Sequence, residues 1–442
     1  MTEFFPVESF TVDGLGLVKG INIPFVLPGE EVAISRPFKK KGKKFAEAEE
    51  IKSFAKERVT PFCPHFGTCG GCLTQHLDYE EEAKWKEERI KNLFAAFDNV
   101  VFHPILKAPR MQRWRNKMEF TFSHKGELGL HRFFGKRRVF DIEHCSLGPD
   151  WFQEAADVFR TFMQEQQLTP FDSYSEEGSL RTLTLRNGFR SGDRMAILTV
   201  SGNPKFAWKK EQIEALKEKG KLLQLSSLYL VIHQAVKGQP TQLFEMHLSG
   251  KDTIEERLTV QNKELTFQIS PKAFFQPNPE QAEKLYACAF ELLDLKGDEV
   301  LYDLFAGTAT LGLFGSKFVK KVISIELSPE ACLDGEANKK INGIENVEII
   351  QGDVYEVLKS GTLVKPDVLM IDPPRSGLTP KAIEAIIALN AQKIAYISCN
   401  PNTQKENLFP LQEAGWRLKA IQPVDQFPRS PHVENIALLE KL

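Results

Sequence analysis

Three residues near the carboxyl end of the chain have the types and the placement of a reaction centre. Cys399 follows the run Ile394-Ala395-Tyr396-Ile397-Ser398, which reads as a buried β-strand, and opens the turn Cys399-Asn400-Pro401-Asn402. In open α/β sheets ligands bind beyond the carboxyl ends of the strands, so a thiol here stands where such folds do chemistry. Asp372, in Asp372-Pro373-Pro374-Arg375, ends the preceding strand in the same way, and Glu434, in Pro431-His432-Val433-Glu434-Asn435, opens the last one. Singly, each has a bland explanation. Free cysteines are often buried simply to pack, and an acid at a strand end is usually a surface charge. Together, a thiol and carboxyl groups suit nucleophilic catalysis followed by proton abstraction.

A second constellation lies upstream. Asp303-Leu304-Phe305-Ala306-Gly307-Thr308 links a buried strand to a helix and resembles the turn that cradles S-adenosylmethionine (SAM). Its glycine content is too low for a dinucleotide fingerprint. The next strand ends in Ile325-Glu326, about twenty residues on, where an acid can bond ribose hydroxyls. Asp353, after Gln351-Gly352 at the end of the third strand, is placed to meet an adenine edge. Helix capping is the alternative role for such acids. The ordered set favours SAM over NAD.

A methyl donor beside a thiol narrows the reaction. Carbon-5 of uracil is a poor nucleophile. Addition of a thiolate to carbon-6 turns the ring into an enolate whose carbon-5 can attack a methyl group. A base must then take the carbon-5 proton so that the thiolate can leave. Cys399 is the candidate nucleophile, in surroundings expected to lower its pKa. Glu434 is the candidate base, with His432 its rival on residue type alone. Methylation of an exocyclic amine would need no thiol, although Asp-Pro-Pro also suits enzymes of that kind.

The remaining thiols divide into a cluster and scattered residues. Cys63, Cys69 and Cys72 are spaced C-x5-C-x2-C, and Cys145 is the other cysteine of this half. Three thiols this close need a metal or a cluster more than they need packing. Four cysteines suit Zn²⁺ or [4Fe–4S]; spacing does not choose, and zinc with His65 or His76 stays open. The odd total of seven argues against a disulfide framework.

These groups need elements to hold them. A chain of 442 residues is too long for one ordinary core. Lysine and arginine number 57 against 59 acids, a net charge of -2, so any nucleic-acid surface must be local. The opening residues lack a signal-peptide pattern and no apolar run would span a bilayer; a cytoplasmic monomer with no membrane partner is expected. Short strands separated by Gly and Pro turns over the first fifty or so residues suggest a small β-barrel. The run Lys39–Lys44 reads as a solvated hairpin tip or a phosphate contact. A helix over about Tyr79–Phe97 follows the cysteines. From Lys107 to Phe140 cations and aromatics interleave, among them Arg110, Arg113, Arg115, Phe120, Phe122, Arg132, Phe133, Phe134, Lys136, Arg137 and Arg138. That pattern suits unpaired RNA bases, or else a sheet with aromatics inside and cations outside. From residue 279 strands and helices alternate, which predicts a doubly wound parallel sheet, the α/β class.

With these residues in view, the sequence resembles the RNA uridine-5-methyltransferase family, in the branch with an amino-terminal TRAM domain and a [4Fe–4S] cluster that modifies 23S ribosomal RNA. The resemblance rests on the four cysteines, on Phe274-Phe275-Gln276-Pro277-Asn278, Asp303-Leu304-Phe305-Ala306-Gly307, Asp372-Pro373-Pro374-Arg375-Ser376-Gly377, Ser398-Cys399-Asn400-Pro401 and His432-Val433-Glu434. It implies Cys63, Cys69, Cys72 and Cys145 as cluster ligands, Cys399 as nucleophile and Glu434 as base. Gln276, Phe305, Glu326 and Asp372 would line the SAM and target-base pocket, with Asp353 near the adenine. The implied organisation is a TRAM β-barrel over 1–56, a central α+β iron–sulfur and RNA-binding domain over 57–265, and a Rossmann-like methyltransferase domain over 266–442. The segment at about 76–106 would pack on the last of these. Transfer RNA as substrate, or a non-catalytic iron–sulfur RNA-binding protein, are the competing readings. Ala306 stands where the family often has cysteine, and 425–431 departs from the commoner Phe-Pro-His-Thr pattern.

Overall fold

The computed structural model describes residues 2–135, 138–235 and 238–442. The carboxyl-terminal part is built on a sheet of eight strands. In spatial order these are Val347–Gln351, Lys321–Glu326, Val300–Leu304, Val368–Ile371, Lys393–Ser398, Glu434–Lys441, Trp416–Val424 and Val101–Phe102. The first five are parallel. Successive side chains leave a strand on opposite faces, and both faces here meet apolar layers. Met370, Ala395 and Ile397 join one core, while Leu369, Ile371, Ile394 and Tyr396 join the other. Burial on two sides explains why these strands read as unbroken apolar runs.

The sheet is mixed, however, and not wholly parallel. Glu434–Lys441 inserts antiparallel between Lys393–Ser398 and Trp416–Val424. The link 425–433 is too short for the crossover that a parallel connection needs. A second difference concerns Cys399. The helix after it is Pro401–Glu413, with Asn400 as N-cap and Pro401 in its first turn. The residues read as an open turn are therefore the start of a helix, as the preference of proline for that position allows.

The edge strand Val101–Phe102 comes from far upstream and pairs parallel with Trp416–Val424. The helix before it, Tyr79–Leu93, packs on Pro401–Glu413. Its inner face carries charge. Lys86 is fully buried and its Nζ donates to Glu82 at 2.7 Å and to Asp425 at 2.8 Å. Tyr79 donates its hydroxyl to Asp425, and Arg429 bonds Glu82 through both backbone and side chain. Two cations and two carboxylates thus balance, the condition under which buried ions are tolerated.

A sheet of seven strands occupies the middle of the chain, running from Val139–Asp141 at one edge to Gln242–Gly250 at the other. Leu180–Asn187 and Arg194–Ser201 are antiparallel neighbours, as their sequences suggest. The first residues form two small sheets, of three and five strands among the described residues. The lysine run is a hairpin, Phe38–Lys40 with Lys43–Phe45, turning at Lys41 and Gly42. Both turn residues have positive φ, as a two-residue hairpin turn requires. Among the described residues no helix is long and apolar enough to cross a membrane.

Candidate active site

The strand register brings the thiol and the carboxyl group together. Lys393–Ser398 pairs antiparallel with Glu434–Lys441, ending at Ser398 opposite Asn435. The next pair in that register is Cys399 with Glu434. Side chains facing each other in this way have Cβ atoms about 4.5–5.5 Å apart. Asp372 follows the adjacent parallel strand, in which Ile371 pairs with Tyr396. All three line one cavity of about 740 Å³, together with Gln276, Phe305, Glu326 and Asp353. His432 does not line it. That residue faces a separate groove of about 490 Å³, shared with Phe10, Trp85 and Arg375, which reaches Cys399 from the other side.

The glycine turn is shaped by left-handed backbone at Phe305, Gly307 and Ala309. Positive φ at two non-glycine residues is a local cost of the kind concentrated at ligand sites. Asp303 anchors the turn, accepting from Gly312 N at 2.9 Å and Ser324 Oγ at 3.2 Å. A Cβ on Gly312 would stand 2.8 Å from that carboxylate, so glycine is required by close approach. Glu326 accepts from Gly307 N and Ser328 N, one bond to each oxygen at 2.8 Å, and is held rigidly toward the cavity. Asp353 does cap a helix, accepting from Tyr355 N and Glu356 N through Oδ1. It lines the cavity as well, so capping and ligand contact are compatible roles.

The charge state of the thiol differs from expectation. Burial pushes Cys399 up to about 11, and the neighbouring Glu434 and Asp372 add to the shift; Arg375 opposes it. The surroundings raise the pKa chiefly because the thiol is buried, and the two acids reinforce that effect while the one cation opposes it. Burial also raises Asp372, to about 7. Glu434 is raised by burial and by Asp372. His432 is lowered to about 4 by burial and by Arg375, which makes it a weak base.

The four clustered cysteines line a second cavity of about 560 Å³, with His65 and Arg115. Cys72 and Cys145 also pack with Trp114, Leu147 and Phe427. Gly71 N donates to Cys69 Sγ at 3.4 Å. His65 Nε2 already accepts from the backbone of Glu143 and His144. His76 lies outside this cavity, packed on Phe66 and lowered to about 3 by burial and by Arg58. Among the described residues no three potential ligands converge on a point that would hold one metal ion.

The sequence profile described as tRNA (Uracil-5-)-methyltransferase matches residues 78–442. The chain belongs to that family. It is accordingly a SAM-dependent RNA (uracil-5-)-methyltransferase. A Protochlamydia amoebophila protein described as an uncharacterized RNA methyltransferase is 44% identical, over 95% of this chain and 99% of its own. One of the same description from Bacteroides thetaiotaomicron is 32% identical, over 95% and 96%. The crystal structure of Pyrococcus abyssi tRNA (uracil-54, C5)-methyltransferase in complex with S-adenosyl-L-homocysteine superposes with a TM-score of 0.81 at 25% identity, covering 99% of each chain.

The basic and aromatic stretch of this methyltransferase divides between interior and surface. Phe120 and Phe122 are buried beneath the central sheet with Trp151 and Phe159. Phe133 and Phe134 meet each other edge to face, and meet Phe25, Phe38 and Phe45 of the amino-terminal segment in the same way. They join two parts of the chain and are half-buried. Arg110 and Arg113 pair with Glu280 and Asp150. Arg132 and Arg138 are exposed; Lys136 and Arg137 lie outside the described residues. Two residues of the site escaped the sequence reading. Tyr286 lines the cavity from a helix whose apolar stripe hides it. Gln426, which bonds the cavity residue Gln276, lies in a stretch without a motif.

Proposed function

We propose that this methyltransferase makes 5-methyluridine in 23S ribosomal RNA through a covalent bond between Cys399 and carbon-6 of the target base. The observation that carries the chemistry is the register of the last two inner strands, with Glu434 opposite Cys399 and Asp372 beside them. Cys399, having lost its proton to solvent, adds as thiolate to carbon-6, the enolate carbon-5 takes the methyl group, Glu434 takes the carbon-5 proton, and the carbon–sulfur bond breaks to return the thiolate. Bound SAM would supply the methyl group, and its sulfonium charge would favour the thiolate. The residues present fit it: Phe305 in the strained turn, the rigid Glu326 carboxylate and Asp353 line one cavity with Gln276 and Asp372. RNA would reach Cys399 along the groove between Trp85 and Arg375.

The cysteine cavity fits a [4Fe–4S] cluster held by Cys63, Cys69, Cys72 and Cys145. Each thiolate of such a cluster binds a different corner, so thiols spread around a cavity suit it better than they suit one zinc ion. The Gly71 amide bond to Cys69 is of the kind that stabilises cluster thiolates. The group would supply a cross-link between segments distant in sequence. We assign residues 1–56 to a TRAM-like RNA-binding barrel, 57–265 to an iron–sulfur and RNA-binding domain, and 266–442 to methyl transfer, with the segment at about 76–106 packed on the last of these. The sequence resemblance to the branch with a TRAM domain and four cysteines supports ribosomal RNA. Similarity to an archaeal tRNA enzyme favours tRNA as the second reading. Nucleoside mass mapping of rRNA and tRNA from a strain lacking the gene tests both. Loss of one 5-methyluridine from 23S rRNA is expected, and loss from tRNA alone would replace the first reading with the second.

A further inference from the structure

We propose that Gln426 is a positioning residue that makes the site select uracil over cytosine, by fixing which end of the Gln276 carboxamide faces the reacting base. The inference rests on the uridine chemistry proposed above and deepens it. Both rings can in principle take a thiolate at carbon-6 and a methyl group at carbon-5, so the chemistry alone does not separate them. Recognition must do so, and the two bases differ at position 4. Uracil presents an acceptor oxygen there and cytosine a donor amine.

Gln426 is fully buried in the link 425–433, and Gln276 is nearly so. Nε2 of Gln426 donates to the backbone oxygen of Asn278 at 3.3 Å and to Oε1 of Gln276 at 3.2 Å. A backbone carbonyl can only accept. The end of Gln426 that meets Asn278 must therefore be its amino end. The same nitrogen meets Gln276, which must answer with its oxygen. Two further bonds hold the frame: Asn278 Nδ2 donates to the backbone oxygen of Gln426 at 3.2 Å, and Asn116 Nδ2 to that of Gln276 at 2.9 Å. With its acceptor engaged, Gln276 has its amino group left for the cavity that it lines.

That amino group shares its cavity with the reacting centre. Gln276 and Tyr286 line it together with Asp372, Glu434 and Cys399. The same two acids flank Cys399. A fixed donor at this end of the cavity pairs with oxygen-4 of uracil and opposes the amine of cytosine. Gln426 accepts a penalty for this arrangement, since its Oε1 is buried without a partner. An unmet buried acceptor calls for an explanation, and the use made of the opposite, donor end supplies one.

The test uses hairpin transcripts that carry the mapped target position as uridine or as cytidine, with the full-length enzyme and SAM. Initial rates of 5-methyluridine and 5-methylcytidine formation are read by nucleoside mass spectrometry. Gln426→Met frees the Gln276 amide to turn over, and the uridine-to-cytidine rate ratio is expected to fall roughly tenfold or more. General loss of structure would lower both rates together and leave the ratio alone. In a Gln276→Met background, Gln426→Met should change the ratio no further. If Gln426→Met does not fold, Gln276→Glu serves instead: it keeps an oxygen for Gln426 and turns the other to the cavity, which should also move selection toward cytidine. An unchanged ratio in whichever of these variants folds overturns the inference. Failure of the wild-type enzyme to methylate the uridine transcript would instead remove the proposed function, and this inference with it.

Discussion

Replacing Glu434 by glutamine should separate the two halves of the reaction. In the folded enzyme Cys399 is pushed up to about 11 by burial first and then by the carboxyl groups of Glu434 and Asp372. At pH 7.5 such a thiol is ionised in about one molecule in three thousand. Adduct formation should therefore rise close to tenfold per pH unit across the neutral range. Glu434→Gln removes one of the acids that hold the proton on sulfur, so the thiolate becomes easier to form and the adduct appears no more slowly than in wild type. Removal of the carbon-5 proton loses its base, a loss on the order of 10²–10⁴-fold in a proton-transfer step. Methylated RNA should then remain joined to the protein. The assay is a denaturing gel of enzyme, RNA and SAM sampled over time, with Cys399→Ala as the variant that forms neither product nor adduct. Normal turnover by Glu434→Gln would show that another group is the base. A variant that never forms the adduct would show that Glu434 only positions the substrate.

Anaerobically purified protein should be brown and hold four irons per chain in the proposed cluster, with Cys72→Ser losing iron and sulfide; stoichiometric zinc in their place would refute the cluster. Lys86→Met leaves Glu82 and Asp425 buried with only Arg429 to offset them, and should cost about 3–5 kcal/mol in denaturant unfolding. Neutralising the exposed Arg132 and Arg138 should flatten the salt dependence of RNA binding by about 0.7 in slope for each phosphate that the protein ceases to neutralise. An unchanged slope would make that edge a solvated face.

How much of this was legible beforehand depends on where each signal is stored. The parallel strands show because burial on both faces leaves runs such as Val368–Ile371 without a polar residue. Their ends then locate Asp372 and Cys399 without further help. The buried charges of Tyr79–Leu93 are hidden for the opposite reason. Lys86 and Glu82 look like surface residues, and the partner that draws them inside, Asp425, is more than three hundred residues away. The interleaved aromatics could not be assigned from alternation alone, because Phe133 and Phe134 are half-buried against rings of the amino-terminal segment. The raised thiol pKa was hidden for a similar reason: it comes first from burial and then from an antiparallel insertion that sets Glu434 against Cys399, and periodicity carries no trace of either.

The edge strand Val101–Phe102 and the helix before it have a consequence for synthesis. Both leave the ribosome long before Trp416–Val424 exists to receive them. Until Asp425 and Arg429 emerge, Lys86 and Glu82 have only each other and must stay hydrated. The charge-rich helix Tyr79–Leu93 and the edge strand after it therefore wait undocked while everything between is made. Docking them is among the last events available to the nascent chain, and it occurs on the side of the sheet that bears Cys399.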